Sequence, residues 1–192
     1  MISHLRPALV LLAALHVLTG LVYPLVVTGV AQVIWHDKAN GSVVSIGGKD
    51  VGSSLIGQPF SAPGYFWGRP SATSPAPYDA SGSNGSNLGP TNPALLDAVR
   101  DRVAALRQAD PTLTGPVPVD LVTASGSGLD PDISAAGALA QVNRVAAARG
   151  VSPQRVRQLV EGRIQERALG FLGEPRVNVL ALNLALDGLT GK

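Results

Sequence analysis

Between Pro7 and Trp35 the chain carries no Asp, Glu, Lys or Arg, and most of its residues are Leu, Val or Ala. About 20 apolar residues suffice to cross a bilayer as a helix, the form that bonds every backbone N–H and C=O within its own segment. The run has length to spare for tilt, with Tyr23 or Trp35 as interfacial ends. A secretory signal would instead have an apolar core of about 7–15 residues and a small-residue cleavage site. Only Gly29-Val30-Ala31 approaches such a site. The expectation is an uncleaved anchor at 7–35, preceded by a tail at 1–6 and followed by one soluble domain over 36–192.

Polar groups inside a span are expensive and should face protein. His16 reads as a neutral imidazole bonded to a neighbouring helix, while Gly20 and Pro24, with Ala14, Thr19, Thr28 and Gly29, allow a second helix to approach closely. Positive charge barely orients the span, because Arg6 precedes it while Lys38 and Lys49 follow. The short tail ahead of an uncleaved anchor favours a cytoplasmic N-terminus, with the remaining chain extracytoplasmic.

After the span, residues 38–92 are rich in Gly, Ser, Pro and Asn, with apolar runs at Val43–Ile46, Ser54–Ile56 and Tyr65–Trp67, a spacing that reads as short strands and turns rather than helices. The 81–90 stretch reads as an ordered loop. Thr91-Asn92-Pro93 combines a capping side chain with a proline at the first helical position, and the helix it opens should end before Asp110-Pro111. A turn-rich segment over 122–131 should deliver the chain to a helix from about Ser134 to Arg149, stopped by a left-handed Gly150. Ser152-Pro153 repeats the start signal for a helix to about Ala168, ended by Gly170, with Arg155, Arg157, Arg163 and Arg167 as a solvated face. The run from Val177 to Leu186 reads most simply as a buried helix, a strand being compatible with its periodicity. Together these predict an α+β domain with short strands and about four helices.

Composition narrows the chemistry. Cysteine is absent, and the three histidines, His4, His16 and His36, all lie within the first 36 residues. Thiolate and histidine catalysis and most transition-metal sites are thereby removed from the rest of the chain. A formal charge of +2 and an aromatic fraction of 4% argue against a nucleic-acid binder. The Gly- and Ser-rich loops could in principle cradle phosphate, but neither ends in the Gly-Lys-[Ser/Thr] of a P-loop and the 81–90 loop holds no cation. A serine nucleophile would depend on Lys38 or Lys49 as base. Asp130 and Asp132, just ahead of a helix, read as capping and dipole complements. What elimination leaves is an anchored domain with specific polar loops and a span that wants a partner.

Several segments then carry a resemblance. Thr19-Gly20-Leu21-Val22-Tyr23-Pro24, Gly52-Ser53-Ser54-Leu55-Ile56-Gly57-Gln58, Tyr65-Phe66-Trp67-Gly68-Arg69-Pro70-Ser71-Ala72, Gly85-Ser86-Asn87-Leu88-Gly89-Pro90, the 122–131 segment and Val177-Asn178-Val179-Leu180-Ala181-Leu182-Asn183 follow one another from anchor to C-terminus. In this order the chain closely resembles the C subunit of Kdp-type potassium-transporting ATPases of bacterial or archaeal membranes.

The resemblance implies an accessory subunit without catalytic residues, in a complex with a potassium-conducting subunit, a P-type pump subunit and a small membrane peptide. It implies a role in assembly and as a catalytic chaperone that raises the pump's ATP affinity. No tightly bound cofactor is expected, ATP and potassium being handled by the partners. The Asn84 that interrupts Ser83-Asn84-Gly85-Ser86-Asn87 argues against direct ATP contact. Gln58, Tyr65, Trp67, Arg69, Ser86, Asn87, Ser125, Ser127, Asp130, Asn178 and Asn183 are the candidate loop organisers or subunit contacts. Among these Arg69, a fork of donors beside two aromatic residues, has the composition of an interface hot spot. The rival expectation is a stand-alone anchored binding module or Ser/Lys hydrolase.

Overall fold

The computed structural model describes residues 4–190 of the 192-residue chain. It divides into two compact units, one running to Val51 and the other starting at Gly52.

The first unit is led by a continuous helix from Leu5 to Ile34, long and apolar enough to cross a membrane, with a mean hydropathy of 2.2. Helix α1 (Leu5–Val17) passes through a π-helical turn (Leu18–Val22) into α2 (Tyr23–Ile34). Pro24 explains the turn. Proline has no N–H to give to the Gly20 carbonyl, and its ring crowds that carbonyl. The backbone widens instead, so the Tyr23 N–H bonds to Leu18 O, five residues back. The polar side chains are satisfied inside the span: His16 Nδ1 lies 2.8 Å from Leu12 O and Thr19 Oγ1 2.7 Å from Leu15 O. A carbonyl one turn back is within reach of the imidazole, so His16 Nδ1 is bonded within its own helix. A short helix α3 (His36–Ala39) follows, and β1 (Val43–Ile46) pairs with β2 (Lys49–Ser53) across Gly47-Gly48, both at positive φ as a tight hairpin turn requires.

The second unit is built from α4 (Pro93–Ala109), β3 (Asp132–Ser134), α5 (Ala135–Ala140), α6 (Val142–Arg149), α7 (Pro153–Glu161), β4 (Arg176–Asn178) and α8 (Val179–Thr190). Helix α4 starts and stops where its signals place it: Asn92 Oδ1 accepts from Ala94 N, and the helix ends at Asp110. β3 and β4 pair antiparallel, with Ile133 opposite Val177 and both side chains buried. The core gathers these two with Val142 and Val145 of α6, Val156 and Val160 of α7, and Leu182 and Leu186 of α8, around a fully buried Phe66. Each such aliphatic or aromatic side chain contributes about 1.5–3 kcal/mol by leaving water.

Four expectations are corrected. The helix expected over 134–149 breaks at Gln141, whose carboxamide turns to other work described below. The helix expected to reach Ala168 stops at Glu161, so Arg163 sits in the turn that follows and Arg167 on a hairpin rather than on a helical face. Tyr65–Trp67 is not a strand but irregular by backbone pairing, while Ser54–Ile56 forms one of the expected turns, following β2. Asp130 and Asp132 do not cap the following helix. Ser134 does, accepting from Gly137 N at 2.8 Å, and Asp120 in turn accepts from Ser134 N and Oγ.

Candidate functional site

The segment from Ala62 to Thr73 has no strand partner, yet its backbone is well bonded. Phe66 gives its N–H to Asn183 Oδ1 at 2.8 Å and takes Asn183 Nδ2 on its carbonyl at 3.0 Å. Trp67 repeats the arrangement with Gln141, at 2.8 Å and 3.1 Å. A carboxamide presents one donor and one acceptor side by side, as a peptide group does, so two side chains here replace a neighbouring strand. The apolar Tyr65–Trp67 run is therefore extended without being a strand.

Two arginines complete the clamp. Arg144 on α6, only 6% exposed, donates to the carbonyls of Pro63 and Tyr65 and to Gln141 Oε1, and its guanidinium lies 4.0 Å from the Trp67 ring centroid. Burial pulls its pKa down to about 10, against the opposing pull of Asp110. Arg149 bonds to Gly64 O, pairs with Asp187 at 2.7 Å and stacks over Tyr65, whose hydroxyl reaches the same carboxylate. The guanidinium forks beside Tyr65 and Trp67 thus belong to Arg149 and Arg144.

Arg69 faces the other way. Its Nη1 lies 3.1 Å from Asp130 Oδ2 and its Nη2 reaches Ala124 O, tying the 62–73 segment to the 122–130 loop. Asp130 Oδ1 also accepts from Asp132 N. Tyr78, at φ 59°, donates its hydroxyl to Arg69 O, and its ring packs on Gly57 and Gly68, where a Cβ would collide. Burial pushes the Tyr78 phenol up to about 12, with Asp130 adding to the rise and Arg69 opposing it. Replacing Arg69 with alanine leaves Asp130 half-buried and unpaired. We expect a stability loss of about 1–2 kcal/mol in a denaturant melt of the full chain, with lysine recovering little because one ammonium cannot reach both acceptors. An unaltered midpoint in Arg69→Ala would contradict the clamp.

The two glycine- and serine-rich loops lie against each other. A Cβ on Gly85 would stand 2.8 Å from Gly126 O, and one on Gly128 would stand 2.6 Å from Asn84 O. Asn84 N and Ser83 Oγ both donate to Ser127 O. Ser125 Oγ accepts from Gly128 N, and Ser127 Oγ from Leu129 N. Ser86 and Asn87, the latter at φ 51°, are exposed on the outer side of this pair. Asn178 bonds Ser54 O and Asp132 and accepts from Ala181 N in the first turn of α8. Gln58 is half-buried, with its amide against Gly52. His16, Gly20 and Pro24 belong to the first unit and its apolar helix, as described above.

Beside Arg69 and Asp130 opens a cavity of about 300 Å³, lined also by Asp120, Asp132, Glu174 and Arg176. Asp132 pairs with Arg176 at 2.9 Å, yet its carboxyl is held above the ordinary value of 3.8 because burial outweighs the Asn178 and Arg176 contacts, with Asp130 adding to the rise. With the folded pKa above the unfolded one, the folded state binds more protons in that window, so this group's contribution to stability falls as pH rises from about 4 through the folded value. An ordinary salt-bridged carboxylate behaves in the opposite sense. A carboxyl-carbon NMR titration of Asp132 should show a midpoint above 3.8, and one at or below it would contradict the desolvated placement.

Residue-type reasoning missed Gln141, Arg144, Arg149, Asp187 and Tyr78. One signal was present: Arg144 and Arg149 stand in the 142–149 stretch, whose other residues apart from Asn143 are apolar, and a cation on a core-facing helix must find acceptors.

Fold and site together define a mixed helix-and-strand domain, internally clamped by side-chain amides and guanidinium groups, in a chain with a single helix among the described residues able to cross a membrane. Residues 5–188 match the sequence profile described as the K⁺-transporting ATPase c chain, KdpC. The potassium-transporting ATPase KdpC subunit of Sorangium cellulosum is 64% identical over 98% of this chain and 99% of its own length. That of Variovorax paradoxus is 63% identical over 95% of each chain, and that of Methylibium petroleiphilum 61% identical over 96% of each. The chain belongs to the KdpC family, the c subunits of potassium-transporting ATPases.

Proposed function

We propose that this chain is a non-catalytic subunit of an ATP-driven potassium uptake complex, anchored by its N-terminal helix with the N-terminus cytoplasmic. Its domain docks extracytoplasmically on the potassium-conducting subunit, assists assembly and raises the activity or ATP affinity of the pump subunit. Family membership implies a multi-subunit membrane complex. The observation that carries the indirect mode of action is the state of the two loops. Three of their backbone amides are already bonded, Asn84 N to Ser127 O across the pair, and Gly128 N to Ser125 Oγ and Leu129 N to Ser127 Oγ within the second loop. A phosphate cradle needs such amides free and convergent. A domain that does not hold ATP acts on its affinity through a coupling free energy carried by the transmembrane subunits.

Gentle detergent extraction and tagged purification should recover a P-type pump and a potassium-channel-like subunit, with ATPase activity whose KM for ATP rises when this chain is omitted. A photoreactive ATP analogue should label the pump and spare this chain. Recovery of the chain alone would overturn the subunit reading in favour of a stand-alone module, and labelling of the chain itself would overturn the indirect mode. The absence of cysteine makes topology readable: Ser127→Cys, on an exposed loop, should react with an impermeant maleimide added outside intact cells.

A further inference from the structure

Every asparagine holds the reagents of one uncatalysed reaction, a side-chain amide close to the backbone nitrogen of the next residue. Where that nitrogen bears a free proton and its residue does not crowd the approach, it attacks the side-chain carbon and expels ammonia. Glycine hinders least, having no side chain. The tripeptide Asn-Gly-Ser occurs twice in this chain, at 40–42 and at 84–86.

The remaining asparagines are poorly placed for the reaction. Asn92 precedes Pro93, whose nitrogen has no proton to lose. Asn87 precedes Leu88, whose side chain crowds the attack, and Asn143 lies within α6. Asn178 and Asn183 are buried with their carboxamides hydrogen-bonded.

The two Asn-Gly-Ser copies are held in opposite states. Asn40 Nδ2 donates to Gln32 Oε1 at 3.1 Å and to His36 O at 2.8 Å, and Asn40 Oδ1 accepts from Gln32 Nε2 at 3.2 Å. The Gly41 N–H donates to Lys38 O at 3.1 Å. Reaction at Asn40 would have to break all of these bonds. Asn84 is exposed, and its carboxamide has no hydrogen-bond partner among the described residues. The Gly85 N–H likewise meets no acceptor among them. Packing also keeps this pair reactive. A Cβ at position 85 would stand 2.8 Å from Gly126 O, so the contact between the two loops requires glycine at the position where glycine exposes Asn84.

We propose that Asn84 is the site of spontaneous deamidation in this protein. The Gly85 nitrogen gives its proton to hydroxide and attacks Asn84 Cγ. The new N–Cγ bond closes a cyclic imide, the Cγ–Nδ2 bond breaks, and Nδ2 takes a proton from water and leaves as ammonia. One water then opens the imide at either carbonyl, to aspartate or to isoaspartate, so that one water is consumed and one ammonia released overall. Either product puts a carboxylate into the 81–90 loop. Isoaspartate also adds a carbon to the main chain between the Asn84 N–H on Ser127 O and the Gly85 contact with Gly126, so the two loops no longer match in spacing. The reaction needs only the folded chain and is independent of the subunit reading.

The test incubates the full chain in detergent at mildly alkaline pH and follows both tripeptides by tandem mass spectrometry, with isoaspartyl methyltransferase labelling as a second readout. In the folded chain Asn84 should convert about tenfold or more faster than Asn40, because the bonds that hold Asn40 add to its barrier. In a tryptic digest incubated alike, where neither site keeps its fold, the two should convert at similar rates. Gln32→Ala should speed conversion at Asn40 and leave Asn84 unchanged, and Asn84→Gln should remove the label from the 81–90 loop. Conversion at Asn84 no faster than at Asn40 in the folded chain would overturn the proposal. So would conversion at Asn87 instead of Asn84, or a rate ratio that is the same in the folded chain and in the digest.

Discussion

Asn183→Leu is expected to destabilise the chain by about 3 kcal/mol, because the N–H and carbonyl of Phe66 are each left buried without a partner at about 1–3 kcal/mol apiece. Asn183 is 1% exposed and Phe66 wholly buried, so water cannot take over either bond without opening the core. Leucine adds apolar volume, which offsets part of the loss but cannot supply a donor and an acceptor at 2.8 Å and 3.0 Å. For a chain of this size each kcal/mol moves the melting temperature by about 2–4 °C, giving a fall of about 6–12 °C. The measurement is a thermal melt of the full chain in detergent, followed by tryptophan fluorescence, since Trp67 adjoins the bonded residue. A fall of less than about 2 °C would mean that the carboxamide is not the partner of this segment.

The second large effect is expected from Arg144→Met. The carbonyls of Pro63 and Tyr65 lose a donor, Gln141 Oε1 keeps only that of Trp67, and the Trp67 ring loses the cation above it. Leaving buried acceptors without a donor costs about 1–3 kcal/mol apiece, so about 3–5 kcal/mol is at stake, and the lower end applies here. The reason is the pKa of about 10: a guanidinium lowered by burial already bears a desolvation penalty, and methionine removes that penalty along with the bonds. Arg144→Lys should recover part of the loss, because one ammonium retains the charge but cannot span three acceptors. A denaturant melt in which Arg144→Met shifts the midpoint by less than Arg69→Ala would refute the ranking of the two arginines. The ranking follows from exposure, since the Arg69 side chain is 26% exposed and its pair is partly screened.

Both effects converge on one segment, and its rigidity is what the proposed function needs. A domain that transmits a coupling free energy must resist deformation at the surface it presents. The 62–73 segment meets the requirement by borrowing partners from α6, α8 and the residue between α5 and α6.

The legible and illegible parts of this protein differ in the range over which their causes act. The long apolar helix was legible because absence of charge over a bilayer's length is a property of consecutive residues, and the starts of α4 and α7 because a cap and a proline act within one turn. Gly150 was legible as a stop, its φ of 65° being a conformation glycine adopts without steric cost. Chain order of whole motifs, from the span to Asn183, was enough to place the chain in its family.

Tertiary structure alone decided the rest. The partners of Phe66 lie 117 positions away and that of Trp67 lies 74, and no periodicity reports that a side-chain carboxamide will stand in for a peptide group at such a distance. The roles of Asp130 and Asp132 changed for the same reason: Arg69 and Arg176 reach them from distant segments, and an ion pair across the fold overrides a local capping preference. The hairpin after α7 replaced an expected helical turn because Arg176 could close a backbone ladder with Gln165, a gain visible only once β4 is placed. Sequence thus determined where the helix long and apolar enough to cross a membrane lies and to which family the chain belongs, since those depend on neighbouring residues and on motif order. Which groups hold its loops depended on contacts between residues far apart in the chain.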